Sequence, residues 1–287
     1  MKLSTTTLDL EKIFGIKQTI KIIADAGFDC FDYSLHDKTE GPIYEEGYKD
    51  YIKDIKDYAD SLGIRCNQSH APYPTQKHGD EEYNQKMLPK IIRSMECAAL
   101  LGAKTIVVHP VHHGITESDN EYEINKEFYS KLIPYCEKFN IKVATENMWH
   151  KDPKRGLIVA DVCGNCERFV KMIDYIDSPW ITACLDLGHT VLGWTEPDEL
   201  IKSLGKRLEA LHVHDNDYLH DSHTLPFMGK LDWSKITRAL AEVGYSGDFT
   251  YEADAFMNKF PHDFLPETEK FMCKVGRHLI GMIENII

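Results

Sequence analysis

Six strand-like runs of the chain each end on a histidine or a carboxylate, and these residues carry the chemistry that the sequence can offer. They are His70, His109, Glu146, Asp186, His212 and Glu252. Imidazole nitrogen and carboxylate oxygen are common protein ligands of divalent metals. Carboxylates gathered away from water would repel one another unless a positive charge lay between them. The six residues therefore predict a divalent-metal site, provided that the fold places them side by side.

The elements that must position these residues alternate regularly between helix and strand. A Gly or Asn suited to the end of a helix precedes each of several short β-branched runs, mostly at intervals of about 36 to 40 residues; these residues are Gly27, Gly63, Gly102, Asn140, Gly205 and Gly244. Amphipathic spacing predicts helices over residues 52–62, 88–99 and 128–139. Strands are predicted near residues 2–7, 28–33, 64–69, 105–109, 141–146, 181–186, 208–214 and 248–252.

Eight such units favour an α/β fold, a single (β/α)8 TIM barrel over residues 1–287, rather than an open doubly wound sheet. In a TIM barrel the active site forms where the carboxyl ends of the strands meet. The third to eighth predicted strands end on the six metal-ligand candidates, so the fold would bring all six to one rim. His214 lies on the seventh strand, with its side chain on the same face as that strand's candidate ligand, and its role is left open. Trp149 closely follows the fifth strand and is a candidate substrate wall.

Composition narrows the classes of partner. The 287 residues carry 33 Lys+Arg and 46 Asp+Glu, a formal charge of −13, which disfavours nucleic acid. No apolar run approaches the ~18 residues of a membrane span, and the first residues lack a signal-peptide pattern, so a cytoplasmic location is predicted. The absence of GxxxxGKT and GxGxxG motifs argues against a nucleotide cofactor. The sequence does not distinguish a monomer from a homo-oligomer.

Together the strand-end residues resemble the xylose isomerase-like TIM barrels, a superfamily that includes tagatose-3-epimerase-like sugar epimerases, sugar phosphate isomerases and endonuclease IV. The resemblance implies that one metal is shared by Glu146, Asp186, His212 and Glu252. It also implies that His70 and His109 match the positions of a further zinc. Further matches to a third metal site or to substrate-binding positions are His189, Asp221 and His223.

The activity implied by this resemblance is a metal-dependent isomerase or epimerase acting on a sugar or sugar phosphate. In such enzymes the metal polarises a ketose carbonyl and acidifies the neighbouring C–H, and an enediolate forms. Glu146 and Glu252 would be the two catalytic bases, one for each face of the substrate, with His189 and His223 as donors to its oxygens. Three carboxylates and one histidine suit manganese, and the additional histidines suit zinc, so one to three ions of either metal are expected.

Two other activities fit the same superfamily. The first is an endonuclease IV-like phosphodiesterase, and the second is an inosose dehydratase-type lyase; a protein that only binds sugars is a third alternative. The rim loops 33–47, 73–80 and 111–125 contain no excess of basic residues, which argues against a DNA-binding mouth. Only residues 149–155 are basic, and they are either a solvated loop or a lid that contacts a sugar phosphate. Residues 215–230 lack the substrate-contacting Arg expected of tagatose-epimerase-like members, and His223 is the candidate replacement.

Overall fold

A parallel eight-stranded barrel forms the centre of the protein in the computed structural model, which describes residues 1–286. Its strands are β1 (Leu3–Thr6), β2 (Cys30–Ser34), β3 (Arg65–His70), β4 (Thr105–Val107), β5 (Lys142–Glu146), β8 (Ile181–Asp186), β9 (Leu208–His212) and β10 (Phe249–Tyr251). They pair in the order β10-β1-β2-β3-β4-β5-β8-β9. The ring closes through a single parallel bridge between Val213 and Tyr251, where the Val213 amide donates to the Thr250 carbonyl at 2.9 Å. The predicted (β/α)8 barrel is therefore confirmed, and all eight strands overlap the predicted segments.

Helices surround the barrel. They are α1 (Leu8–Phe14), α2 (Ile16–Ala26), α3 (Tyr48–Ser61), α4 (Glu81–Leu101), α5 (Glu121–Ser130), α6 (Ile133–Phe139), α7 (Cys166–Ile176), α8 (Leu187–Leu192), α9 (Pro197–Leu204), α10 (Trp233–Glu242) and α11 (Leu265–Glu284). All six predicted helix-end positions have positive φ, from 52° at Gly205 to 101° at Gly102. Within the described residues, no helix is both long and apolar enough to cross a membrane.

The single helix predicted over residues 128–139 is wrong, because the chain forms two helices there. Helix α5 ends at Ser130 and α6 begins at Ile133, with Pro134 in its first turn. Proline has no amide N–H to donate and its ring crowds the preceding turn, so it favours the first turn of a helix, although α4 carries Pro89 in its interior. The apolar residues still recur at helical spacing across both segments, because each helix buries one face, with Phe128 and Tyr129 of α5 and Cys136 of α6.

Small side chains fill the barrel interior just below its mouth. Val107, Ala144, Cys184 and Ala210 are buried and form a separate cluster on the adjacent strands β4, β5, β8 and β9. Val107 pairs with Ala144 in register, and Cys184 pairs with Ala210. This layer leaves the strand-end residues above it to face one another, and it keeps water away from them from below.

A β-hairpin that is not part of the barrel stands beside the mouth. It consists of β6 (Trp149–Lys151) and β7 (Ile158–Ala160), which pair antiparallel directly after β5. The Trp194 indole N–H donates to the Ile158 carbonyl at 3.1 Å, and the Met148 amide donates to the Val162 carbonyl at 3.0 Å. The basic segment 149–155 thus belongs to an anchored hairpin.

Candidate active site at the barrel mouth

A central cluster of four residues occupies the middle of the mouth. Glu146, Asp186, His212 and Glu252 each place a donor atom within 4.8 Å of the others. His212 Nδ1 lies 3.1 Å from both Glu146 Oε1 and Glu252 Oε2. One ring nitrogen carries at most one proton, so it cannot donate fully to both carboxylates. Three carboxylates around one imidazole in a buried site require additional positive charge.

A second cluster joins the central one through Glu146. His70 and His109 bring their Nε2 atoms to 2.9 Å from each other, and His109 Nε2 lies 2.9 Å from Glu146 Oε2. Burial lowers the pKa of His109 to about 3, so its ring is neutral at physiological pH. Among the described residues, no group donates a hydrogen bond to Glu146 Oε2. The geometry is that of three ligand atoms directed at one point rather than of a chain of hydrogen bonds.

A third, outer cluster lies beside the central one. His189, His214, Asp221 and His223 place donor atoms within 4.8 Å of one another. Asp221 Oδ2 is within hydrogen-bond distance of His189 Nε2 at 3.3 Å, whereas Oδ1 lies 3.3 Å from His223 Nε2 without forming a hydrogen bond. Burial alone would lower the pKa of His189, but the negative charges of Asp186 and Asp221 outweigh it and raise this pKa to about 10. His189 and His223 likewise hold the pKa of Asp221 far below its usual range.

Two neighbouring side chains fix the outer cluster. The Trp149 indole N–H donates to Asp221 Oδ2 at 3.2 Å, so Trp149 contacts a candidate ligand as well as lining the mouth. His214 Nε2 lies 2.9 Å from both oxygens of Asp186, and its ring stacks on His223 with centroids 4.0 Å apart. The sequence placed His214 on the inward face of its strand but gave no reason to assign it a partner.

The donor set fits divalent cations. Buried atoms that lack a hydrogen-bond partner within residues 1–286 include His109 Nδ1, Glu146 Oε2, His214 Nδ1 and Asp221 Oδ1. Two of these, Glu146 Oε2 and Asp221 Oδ1, are carboxylate oxygens that point into the clusters. Mixed imidazole and carboxylate ligands suit zinc and manganese. The clusters offer positions for one to three such ions.

A cavity of about 600 Å³ opens above the clusters. Its walls include Tyr73, His112, His113 and Asp161, which the sequence did not single out as a site, together with His36 and with His150 of the basic segment. The Tyr73 hydroxyl lies 2.6 Å from His113 Nε2 and 3.2 Å from His112 Nε2. The only available signal was the density of His and Tyr in loops that follow the strands. A volume of this size suits a small polar molecule.

Known proteins share this architecture. The model of the xylose isomerase-like TIM barrel family matches residues 20–263. An uncharacterised protein, y4fM, from Sinorhizobium fredii is 24% identical over 263 residues, which cover 83% of this chain and 81% of y4fM. The fructoselysine 3-epimerase of Escherichia coli O157:H7 is 23% identical over 215 residues, covering 72% and 75% of the two chains.

A solved structure supports the fold. The crystal structure of D-psicose 3-epimerase with D-tagatose from Clostridium cellulolyticum H10 superposes with a TM-score of 0.75 at 16% identity, covering 97% of this chain and 99% of the other. An identity this low establishes the fold alone. The family match spans most of the chain and includes all three clusters. The protein is therefore a member of the xylose isomerase-like TIM barrel family.

Proposed function

We propose that the protein is a divalent-metal-dependent sugar isomerase or epimerase that moves a proton next to a ketose carbonyl. The observation that carries this proposal is the position of Glu146 and Glu252. Their carboxylates approach the same nitrogen of His212, at 3.1 Å each, from strands that lie on either side of β9. Two carboxylates that flank one bound substrate can remove a proton from one position and return it at another.

The central cluster supplies the rest of the chemistry. A divalent cation held by Glu146, Asp186, His212 and Glu252 would polarise the carbonyl and acidify the adjacent C–H. Although burial acts in the opposite direction, His212 holds the pKa of Glu146 well below its usual range, so this carboxylate is in the ionised form that a proton acceptor needs. His189 lies beside it, with Nδ1 3.6 Å from Glu146 Oε1, and would donate to a substrate hydroxyl from Nε2, which faces Asp221.

Two of these relatives are named as 3-epimerases. One is a fructoselysine 3-epimerase, and the other is a D-psicose 3-epimerase crystallised with D-tagatose. Residues 215–230 of this chain contain no Arg, and His223 occupies this region with Nε2 directed at Asp221. We therefore expect a substrate that differs from the free ketohexoses of tagatose-epimerase-like enzymes.

Solvent deuterium exchange tests the proposal. The protein loaded with Mn²⁺ or Zn²⁺ should catalyse deuterium incorporation from D₂O next to the carbonyl of a ketose, as followed by NMR. Glu146→Gln and Glu252→Gln should each lower this rate by about 10²–10⁴-fold while circular dichroism and melting temperature stay close to wild type. Glu127→Gln, at an exposed position on α5, is the matched control and should exchange at the wild-type rate.

Metal content is measured in the same samples, because both glutamates are also candidate ligands. Wild-type exchange in either cluster variant would refute the two-base mechanism. Loss of exchange together with complete loss of metal would assign that glutamate to binding alone. Loss of exchange with metal retained is the expected result.

A second candidate is a metal-dependent phosphodiesterase. The observation in its favour is that His70/His109 on one side and Asp221/His223 on the other flank the central cluster, which would suit several ions acting on one phosphate. The acidic loops 33–47 and 111–125 at the mouth oppose a polyanionic substrate. Salt-sensitive cleavage of abasic DNA by the purified protein, without deuterium exchange into ketoses, would favour this candidate over the isomerase.

A further inference from the structure

A second, larger cavity adjoins the one above the metal clusters. This outer cavity has a volume of about 1050 Å³ and lies between residues 115–122 and the β6–β7 hairpin, whereas the cavity above the metal clusters is the inner cavity. The two cavities share three wall residues, Ile115, His150 and Asp161. Each is as large as a typical small-ligand site. A molecule bound in the inner cavity that extends past these three residues would therefore enter the outer one.

The boundary between the two cavities is polar and well anchored. Asp161 Oδ2 lies 3.1 Å from His112 Nδ1 and 3.4 Å from His150 Nδ1, and Asp161 Oδ1 accepts the Val162 amide at 2.8 Å. His112 stands in the cavity above the clusters, whereas His150 borders both cavities. A ligand that crosses this boundary would meet imidazole N–H groups and a carboxylate, which suit hydroxyl groups.

Charge decides what kind of group the outer cavity accepts. Five carboxylates line it, those of Glu117, Asp119, Glu121, Asp152 and Asp161, against the three cations Lys154, Arg155 and Arg168. Two of the cations already have acidic partners, because Arg168 pairs with Glu121 and Arg155 lies 3.3 Å from Asp152. The remaining balance is negative, so a phosphate or carboxylate on the ligand would be repelled. Hydroxyl groups of Thr116, Ser118 and Tyr122 supply neutral hydrogen-bonding partners.

We propose that the outer cavity is a subsite for a second, uncharged and hydroxylated unit of the substrate. The substrate is then a ketose joined to another sugar unit, rather than a free or phosphorylated monosaccharide. The assignment of the reacting unit to the inner cavity rests on the proposed function. The existence of the subsite rests on the two contiguous cavities and on the charge of their walls.

A binding experiment tests the subsite without turnover. The metal-loaded protein is titrated calorimetrically with sorbitol and with isomaltitol, in which a glucosyl unit is attached to sorbitol. Isomaltitol should bind at least about tenfold more tightly. Val159→Trp fills the outer cavity from β7 and should remove this preference while changing sorbitol affinity less than about twofold. Leu157→Trp is the matched control, since Leu157 is 54% exposed on the same hairpin and lines neither cavity.

Equal affinities for the two polyols, or equal weakening of both by Val159→Trp, would overturn the subsite. Deuterium exchange into fructose, isomaltulose and fructose 6-phosphate separates this result from the proposed function. The proposal expects isomaltulose to exchange fastest and the phosphate ester no faster than fructose. A preference for the phosphate ester that Val159→Trp removes would overturn the assignment to an uncharged unit. If no ketose exchanges but the isomaltitol preference remains, the proposed function fails and the subsite stands.

Discussion

Asp215 holds the loop that follows β9, and its replacement by asparagine tests how far this loop determines cation binding. The Asp215 carboxylate is fully buried and accepts four hydrogen bonds. Oδ1 accepts from the amides of Asn216 and Leu231 at 2.9 and 3.0 Å, and Oδ2 accepts from the Phe227 amide and the Trp233 indole at 3.0 and 2.8 Å. One side chain thereby joins three separate points of the loop to the start of α10.

The cost of the substitution follows from the number of donors. Asparagine has the same shape but offers one oxygen and one NH₂ group, so two of the four donors would face another donor. Hydrogen bonds to a charged group contribute about 1.5–3 kcal/mol each, so losing two lowers the free energy of unfolding by about 3–6 kcal/mol. If the loop detaches locally instead, the backbone pair between Asp215 and Thr224 is lost with it. Because Asp221 and His223 belong to this loop, either response disrupts the outer cluster.

Metal analysis and thermal melting measure the effect together. After loading with Zn²⁺ or Mn²⁺ and desalting, Asp215→Asn should melt at least about 5 °C below wild type. It should also contain less metal, while the central cluster on the barrel strands keeps its ion. Asp217→Asn is the control on the same loop; this side chain is 41% exposed, and its variant should match wild type in both measurements. Wild-type metal content and melting in Asp215→Asn would refute the reasoning.

Two other buried positions give further predictions. Burial raises the pKa of the Glu269 carboxyl from 4.5 to about 8, and no described residue hydrogen-bonds to either of its oxygens. The folded state keeps this proton while the unfolded state releases it, so the free energy of unfolding falls by at most about 5 kcal/mol as the pH rises from 4.5 to 8. Glu269→Gln should flatten this pH dependence, as measured by urea unfolding. An unchanged pH dependence would contradict the account. A Cβ at Gly188 would lie 2.0 Å from His214 Cε1, so Gly188→Ala should lower the unfolding free energy by about 1–3 kcal/mol. A Cβ added at Gly281 would lie within 4 Å of no described atom outside its own stretch of helix backbone, so Gly281→Ala should raise the unfolding free energy by up to about 1 kcal/mol. Thermal melts that rank the two variants in the opposite order would argue against the contact between Gly188 and His214.

The barrel and the position of its candidate ligands could be predicted because each depends on a local pattern. The six predicted helix-end residues, all of which have positive φ, and the short β-branched runs that follow them can each be recognised within a few neighbouring residues. Once the strands are parallel, their carboxyl ends must share one rim, and Glu146, Asp186 and His212 follow from that single rule. Residues 128–139 show where the same procedure fails, because apolar spacing alone does not reveal that α5 ends at Ser130 and that α6 begins beside Pro134.

The walls of the site could not be predicted, because they depend on contacts between loops. Asp161 meets His112 across 49 residues of sequence, and Trp149 meets Asp221 across 72. Loop residues follow no periodicity, so nothing in the sequence indicates which of them face each other. The burial of Glu269 could not be predicted for a related reason. A single carboxylate on an amphipathic helix is ordinarily exposed, and here only packing against the barrel buries it.

The three clusters are not independent sites, because they share residues or touch one another. Glu146 contributes to both the central cluster and the histidine pair. Asp186 lies within hydrogen-bond distance of His214 Nε2, and the His214 ring stacks on His223 of the outer cluster. A cation bound at one cluster therefore changes the charge and orientation of ligands at the next, so metal titration should show coupled rather than additive binding. Such a donor set is compatible with both proton transfer and phosphate hydrolysis. We therefore expect the acidic loops at the mouth and the β6–β7 hairpin beside the outer cavity to determine which substrate is accepted.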